Sequence, residues 1–315
     1  MGDGSDFNSR CGFTLIELSI VLVIIGLIVG GVLVGQDLIR AAGVRATISQ
    51  IEKYQTAVNT FRGKYGYLPG DIKDPDASNF GFAARGQYAG QGDGNGILQG
   101  VNANAANSFD QDNITAGESA VFWVDLSAAH LIDGTFTTAS ITTLPGSDVT
   151  NVDAYMPAAK MGKGMYIFVW SGGWRGCFSG NGNGDGKNYF GLQDVPKLKN
   201  SGGYGNSGQP YALITLTPQE AYNFDKKTDD GLPQSGRTVA LGLSVYGPTP
   251  TCWASPNLNP GGAEDPVTGG PTTVATPGSA TTCYDNNNVG GAQQQYSLGQ
   301  SGGSNPACAV SFQFQ

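Results

Sequence analysis

The chain has 315 residues, of which 49 are glycine and 16 are proline, and its formal net charge is −8. It lacks the Gly-X-Y period of collagen, and a hydrophobic share of 39% is too high for a globally disordered chain. The acidic balance argues against a dedicated nucleic-acid-binding protein, which needs a basic surface. The glycine excess predicts a folded protein with many loops and turns.

The first element is an uncharged run of 19 residues, 18–36. As a helix with a rise of about 1.5 Å per residue it spans roughly 28 Å, close to the ~30 Å of a bilayer core. The alternatives are a buried core helix and a removed signal peptide. A core helix rarely stays apolar on all faces over such a length, and a signal peptide has a basic n-region and a shorter apolar stretch. We expect a retained membrane helix.

A second helical pattern follows this run without a break. Apolar residues recur every three or four positions and define one stripe of a helix. They are Val44, Ile48, Ile51, Tyr54, Val58, Phe61 and Tyr65. Gly63, Gly66 and Pro69 end the pattern. The sequence predicts one helix of about 50 residues, apolar all round in its first half and amphipathic in its second.

The rest of the chain mixes short helices and strands. Two T-x-x-E motifs, beginning at Thr115 and Thr217, are typical of capping boxes and predict helices near residues 116–131 and 218–225. Four β-rich runs are bounded by Gly, Pro or Asn, at residues 166–170, 211–216, 238–245 and 309–314. Residues 254–282 resemble an extended loop. We expect an α+β fold, in which a long N-terminal α-helix packs on an antiparallel β-sheet head with long loops.

Residues 12–17 read Gly-Phe-Thr-Leu-Ile-Glu and stand directly before the apolar run. An unpaired Glu17 at the rim of a membrane helix costs about 2.5–3.5 kcal/mol on insertion scales, so it needs a partner. This N-terminus resembles that of the type IV pilin superfamily, which includes type IV pilins and the pseudopilins of type II secretion systems. The resemblance is good from Arg10 to about Pro69. Cys11 departs from it, because a basic or small residue is more usual there.

The resemblance implies a processing and assembly route. Prepilin peptidase would cut between Gly12 and Phe13, and Phe13 would become the N-methylated first residue. Glu17 would meet the N-terminal amine of the neighbouring subunit, in keeping with the need of a buried carboxylate for a cation. The expected divisions are a cleaved leader over 1–12, a spine helix over 13–68 with its transmembrane part over about 13–36, and a Gly-rich globular head over 69–315.

The cysteine count is typical of an exported head. Cys11 would leave with the leader, and Cys177, Cys252, Cys283 and Cys308 remain. An even number suits two disulfides in an oxidising compartment. Three connectivities are open, and the preferred one pairs Cys252 with Cys283 and Cys177 with Cys308. A zinc site is disfavoured, because the chain has no C-x₂-C pair and one histidine.

Three acidic stretches are candidates for calcium binding. Two of them alternate oxygen ligands before a Gly, as an EF-hand loop does, but neither has a Glu at the twelfth position. The candidates are Asn181, Asn183 and Asp185, ranked first, then Asp93 and Asn95, and then Asp225, Asp229 and Asp230. The alternative is an Asn/Asp/Gly turn without an ion.

The sequence gives little support for catalysis, since no G-x-S-x-G, Walker or H-E-x-x-H motif occurs. We expect no catalytic residues and no enzyme, although a membrane-anchored hydrolase is an alternative. The resemblance implies a structural subunit of a type IV pilus-like or type II secretion pseudopilus filament. The other alternative is a minor or tip pilin that acts as an adhesin or binding module.

The expected partners follow from the resemblance. They are other copies of the chain, prepilin peptidase and the assembly machinery of the inner membrane, and no nucleic acid is expected. The chain would cross the inner membrane once before assembly. After assembly it would lie in the periplasm, at the cell surface or in an extracellular filament.

Overall fold

The computed structural model describes residues 14–101, 109–110, 114–171, 186–198, 216–242, 283–285, 293–299 and 308–315. The chain divides into two compact units, residues 1–43 and 44–315. The boundary between the units falls inside the first helix, α1 (Leu15–Tyr65), which has 51 residues. The predicted helix of about 50 residues is confirmed, whereas the predicted limits of leader, spine and head stay predictions.

The part of α1 in the first unit is suited to lipid. An 18-residue window of the helix has a mean hydropathy of 2.9, and none of the window is buried. By length and composition it can cross a membrane, and a helix satisfies its own backbone hydrogen bonds there.

The part of α1 in the second unit is amphipathic, as predicted. All but the last of the stripe residues are buried, namely Val44, Ile48, Ile51, Tyr54, Val58 and Phe61. Tyr65 is half-buried. The Tyr54 ring packs edge-on against Trp123, with ring centroids 4.9 Å apart. The stripe therefore supplies one wall of the hydrophobic core.

A four-stranded antiparallel sheet in the order β3-β4-β8-β5 lies at the centre of the second unit. Its strands are β3 (Met165–Ser171), β4 (Asn188–Asp194), β5 (Thr238–Gly242) and β8 (Cys308–Gln313). The ring of Phe190 on β4 lies 6.4 Å from that of Tyr54 and 6.2 Å from that of Trp123. Helical residues thus pack on this strand, and the predicted α+β fold is confirmed.

Smaller elements complete the described structure. They are α2 (Asp76–Asn79), β1 (Gly100–Val101) paired with β2 (Phe109–Asp110), α3 (Glu118–Ala128), α4 (Pro218–Thr228), and β6 (Tyr284–Asp285) paired with β7 (Gln295–Tyr296).

Strand β4 was not predicted from the sequence, because Gly191 and flanking polar residues interrupt its β-rich pattern. A Cβ atom on Gly191 would lie 2.2 Å from the ring of the buried Phe168 on β3, so the strand needs a glycine there. Of the predicted strand 211–216, residues 211–215 lie outside the described residues, and Leu216 forms an isolated bridge with Cys308.

The two predicted capping boxes have different outcomes. The box at Thr217 is confirmed: its hydroxyl accepts from the Glu220 N–H at 3.1 Å, and the Glu220 carboxylate accepts from the Thr217 N–H at 3.0 Å. The box at Thr115 is wrong. Gly117, which has no side chain to form a cap, occupies the N-cap of α3, so Glu118 is the first residue of the helix and its carboxylate accepts from the N–H groups of Gly92 and Gln99 instead.

Helix α3 is also shorter than predicted. It ends at Ala128, and His130 beyond it adopts a left-handed conformation with φ 56°. The His130 N–H donates to the Ser127 carbonyl, and the Leu131 N–H donates to the Leu126 carbonyl. These bonds satisfy carbonyl groups in the last turn of α3. The exposed His130 therefore has a structural role, in which its left-handed backbone conformation ends the helix.

Candidate functional site

Helix α1 begins with a reciprocal cap between Thr14 and Glu17. The Glu17 Oε2 accepts hydrogen bonds from the Thr14 N–H and from the Thr14 hydroxyl, each at 2.8 Å. The Thr14 Oγ1 accepts from the Glu17 N–H at 3.3 Å. This is the arrangement of a capping box, which satisfies N–H groups that have no partner inside the helix. Sequence reasoning assigned Glu17 to assembly and missed this bond with Thr14.

Glu17 is the one charged residue between positions 14 and 36. Both bonds that it accepts fall on Oε2, so Oε1 has no partner among the described residues. A carboxylate oxygen beside an apolar helix attracts a cation when it leaves water. The predicted cleavage residues, Gly12 and Phe13, lie outside the described residues.

A second candidate site lies in the head, where three carboxylates converge. Oxygen atoms of Asp71, Asp93 and Glu118 lie within 4.8 Å of one another. The Glu118 Oε1 accepts from the Gly92 N–H at 2.8 Å, and its Oε2 accepts from the Gln99 N–H at 2.9 Å. Glu118 therefore holds both ends of the loop that contains Asp93.

Asp71 binds the middle of the same loop. Its two carboxylate oxygens accept from the Gly94 N–H at 2.8 Å and from the Gly96 N–H at 2.7 Å. The predicted ligands Asp93 and Asn95 bond to each other: the Asn95 N–H and side-chain amide donate to the Asp93 carboxylate at 3.0 and 2.9 Å. The loop is held by carboxylates that accept from its backbone.

Burial sets the electrostatics of this cluster. Desolvation raises the pKa of Asp71 to about 6, the charge of Asp93 adds to the rise, and the N–H groups of Gly94 and Gly96 oppose it. Desolvation also raises the pKa of Glu118 well above its ordinary range, and the charge of Asp71 contributes. A proton or a cation at this place relieves the repulsion between the carboxylates.

A buried ion pair holds the backbone on either side of Asp71, and it was not predicted. The Arg85 Nη2 lies 2.6 Å from the Asp125 Oδ2, and both side chains are almost fully buried. The same Oδ2 accepts from the Gly70 N–H at 2.6 Å, and the Arg85 Nε donates to the Ile72 carbonyl at 3.1 Å. Desolvation raises the pKa of Asp125, and the Arg85 charge opposes the rise.

The predicted cluster of Asp225, Asp229 and Asp230 is also brought together, with oxygen atoms within 4.8 Å of one another. Asp225 accepts from the Tyr296 hydroxyl at 2.8 Å and from the Gly231 N–H at 3.0 Å. Desolvation raises the pKa of Asp225 to about 7, whereas the Tyr296 bond lowers it. These contacts tie α4 to the small β6–β7 sheet.

The preferred disulfide pairing is wrong. The structure joins Cys283 to Cys308, with a Cα–Cα distance of 5.1 Å. Both cysteines are buried, and the Cys308 N–H donates a hydrogen bond to the Leu216 carbonyl at 3.0 Å. Sequence spacing could not find this pair, because it depends on how β8 lies beside residue 283. Cys177 and Cys252 lie outside the described residues.

The calcium candidates ranked first, Asn181, Asn183 and Asp185, also lie outside the described residues. Calcium binding at any of the three stretches stays a prediction.

Comparison with known protein families finds a match at the N-terminus of the chain. Residues 7–33 match the family described as the prokaryotic N-terminal methylation motif. This motif is the signature of type IV pilins and pseudopilins, and it covers the start of α1, including Thr14 and Glu17. The matching family is a structural one and not an enzyme family. No curated protein and no solved structure matches the chain.

The chain therefore carries the N-terminal signature of a pilin-type precursor. It combines the methylation motif with a membrane-compatible helix and an α+β head. The motif implies processing by prepilin peptidase and assembly into pilus-type filaments, and it fits membrane anchoring before assembly.

Proposed function

We propose that the chain is a structural subunit of a type IV pilus-like or type II secretion pseudopilus filament. The observation that carries the proposal is the methylation motif over residues 7–33, placed at the start of the exposed apolar part of α1, where Glu17 is the one carboxylate between positions 14 and 36. Prepilin peptidase removes residues 1–12, and Phe13 becomes the methylated N-terminus. The chain then spans the inner membrane once until it is assembled.

In this proposal, assembly is driven by the packing of α1 against the same helix of other copies. The new α-amine of Phe13 on one subunit meets Glu17 of the next. Support comes from the Glu17 Oε1, which has no partner among the described residues, and from the cost of leaving a carboxylate unpaired in lipid. After assembly the head lies in the periplasm, at the cell surface or outside the cell.

The test is a Glu17→Val variant expressed with the native assembly machinery. We expect cleavage after Gly12 to persist, while the amount of this chain in sheared filaments falls at least about tenfold, as loss of a buried charge pair would cause. Asp37→Val is the matched control, because Asp37 is the next acid on α1 and is exposed. Normal filaments from Glu17→Val would contradict the mechanism.

The alternative is a minor subunit at the filament tip that acts as an adhesin or binding module. The size of the predicted head, residues 69–315, favours it, since a plain filament subunit needs less. Copy number separates the two. A dominant band of this chain in purified filaments indicates a major subunit, and a trace band indicates a tip protein.

A further inference from the structure

The loop of residues 92–99 contains an Asn-Gly pair, Asn95 and Gly96, in which Asn95 is exposed. Asparagine before glycine is the dipeptide most prone to deamidation, because glycine has no Cβ atom to keep its backbone nitrogen away from the asparagine side chain. The loop needs this glycine, since the φ of Gly96 is 85° and lies in the left-handed region. The turn therefore requires a reactive dipeptide.

Deamidation is a reaction of the chain with itself and with water. The Gly96 nitrogen attacks the Asn95 Cγ and forms a C–N bond, while the bond from Cγ to Nδ2 breaks. Ammonia leaves with the proton that the Gly96 nitrogen gives up, and a cyclic succinimide remains. Water then adds to one of the two imide carbonyl carbons and opens the ring, which leaves aspartate or isoaspartate at position 95.

The attacking nitrogen is engaged in the folded chain. The Gly96 N–H donates to the Asp71 Oδ2 at 2.7 Å, and Asp71 is buried. Attack on Asn95 requires this N–H to leave its acceptor and to lose its proton. A hydrogen bond to a carboxylate is stronger than one between neutral groups, and a carboxylate also repels the negative charge that develops on the nitrogen. The contact with Asp71 therefore disfavours the attack.

The Asn95 side chain is held through both of its polar atoms. Its Nδ2 donates to the Asp93 Oδ2 at 2.9 Å, and its Oδ1 accepts from the Ile97 N–H at 2.7 Å. The Asn95 N–H donates to the Asp93 Oδ1 at 3.0 Å. Ring closure moves Cγ onto the Gly96 nitrogen and expels Nδ2, so the side chain must leave this arrangement to react.

We propose that Asn95 is a deamidation site, kept unreactive by Asp71 and Asp93 while the loop is closed and released when the loop opens. Loops of a folded chain open locally without global unfolding. The product adds a carboxylate beside the three that already converge there, and isoaspartate also lengthens the backbone by one CH₂ group. Opening of the loop would thus leave a permanent chemical mark. The inference is independent of the filament role.

The experiment follows the full chain in micelles during incubation in mildly alkaline buffer. Peptide mapping by mass spectrometry measures how fast Asn95 exchanges its NH₂ group for OH, and chromatography separates the isoaspartate product. The reference is the same chain unfolded in guanidinium chloride. We expect deamidation at position 95 to be at least about tenfold slower in the folded chain, because opening the loop breaks a bond to a buried carboxylate. Equal rates, or no product in the unfolded chain, would overturn the proposal.

Two variants test the protecting contacts one at a time. Asp71→Ala removes the acceptor of the Gly96 N–H, and Asp93→Ala removes the partner of the Asn95 side chain. We expect each to raise the rate at position 95 in the folded chain about fivefold or more. Asp230→Ala is the matched control, because its exposed carboxylate also accepts a backbone N–H bond but in another loop. Its rate at position 95 should equal that of the wild type.

Thermal melting shows whether each variant is folded at the temperature of incubation. Asp93 is exposed, so Asp93→Ala decides the question even if Asp71→Ala does not fold. Wild-type rates in the folded Ala variants would overturn the proposal. A slower reaction in Asp71→Ala would overturn it as well, since this carboxylate would then act as a base for the Gly96 nitrogen.

Discussion

The Thr14 hydroxyl and the Glu17 carboxylate lie 2.8 Å apart and close a hydrogen-bonded cap on the first turn of α1. The cap accounts for how a carboxylate is accommodated next to an apolar helix. It uses one oxygen of Glu17 and leaves the other for a cation.

Thr14→Ala should loosen this turn. Losing an N-cap hydroxyl costs about 1 kcal/mol, which corresponds to roughly fivefold faster local opening. Hydrogen exchange of the amides of residues 15–18, measured on the full chain in micelles, checks this. Thr14→Ser keeps the hydroxyl and should exchange like the wild type. Equal exchange in the Ala variant would show that the cap does not hold the turn.

The pH dependence of stability should report on Asp71. Its pKa is about 6 in the folded chain, above the ordinary value of 3.8, so the folded state binds this proton more tightly than the unfolded state. The carboxyl therefore favours folding at low pH, and that contribution is lost as pH rises from about 4 to about 6. Thermal melting of Asp71→Asn should show a shallower decline across this window.

The control is Asp133→Asn, because Asp133 is exposed. Its decline should match that of the wild type. Some decline persists in Asp71→Asn, since the pKa values of Glu118, Asp125 and Asp225 are raised in the same direction. An unchanged curve for Asp71→Asn would contradict the assignment.

Gly191→Ala should destabilise the sheet. The new methyl group would meet the Phe168 ring at 2.2 Å, and overpacking of a core costs about 1–3 kcal/mol. Urea unfolding, followed by the tryptophan fluorescence of the chain, measures the loss in the free energy of unfolding. Gly63→Ala is the matched control, because nothing lies within 4 Å of its added Cβ and alanine favours a helix by up to ~1 kcal/mol. A Gly191→Ala variant as stable as the wild type would contradict the claim that the Phe168 ring leaves no room for a side chain at this position.

Peptide mapping of the non-reduced protein should recover the Cys283–Cys308 bond. If Cys11 is removed with the leader, as proposed, Cys177 and Cys252 are left to pair with each other, and we expect that second bond. Both cysteines carrying free thiols would contradict it. In the chain-entropy model, the Cys283–Cys308 bond, which closes a loop with a sequence separation of 25, is expected to stabilise the folded chain by about 3–5 kcal/mol.

Calcium should act mainly through residues 181–185. The Asp93 carboxylate already accepts two hydrogen bonds from Asn95, so its oxygen atoms are less available to a cation. We expect calorimetric titration to show heat, and Asp185→Ala to reduce it more than Asp93→Ala. No heat in the wild type, with an unchanged melting temperature, would refute calcium binding.

Local periodicity made some of the structure predictable. The stripe from Val44 to Phe61 follows from side-chain spacing alone, and Glu17 stands out as a charge before an uncharged run. The pairing of Cys283 with Cys308 and of Arg85 with Asp125 depends on segments far apart in the chain. No local pattern encodes such pairs.

The Thr115 motif shows the same limit. Glu118 stands at the capping-box position, but tertiary contacts recruit its carboxylate to the backbone of another loop. The local sequence allows the Glu118 carboxylate either to cap its own helix or to bind another loop, and the tertiary fold selects the second.

That recruitment has a consequence for the surface of the molecule. Asp71 and Glu118 recognise the loop of residues 92–99 through its N–H groups, which every residue except proline supplies. The exposed side chains at positions 93 and 95 take no part in that recognition. Substitutions of Asp93 and Asn95 therefore leave the bonds that Asp71 and Glu118 accept from the loop in place, while they remove the bonds that these two side chains accept from the N–H groups of Asn95 and Ile97.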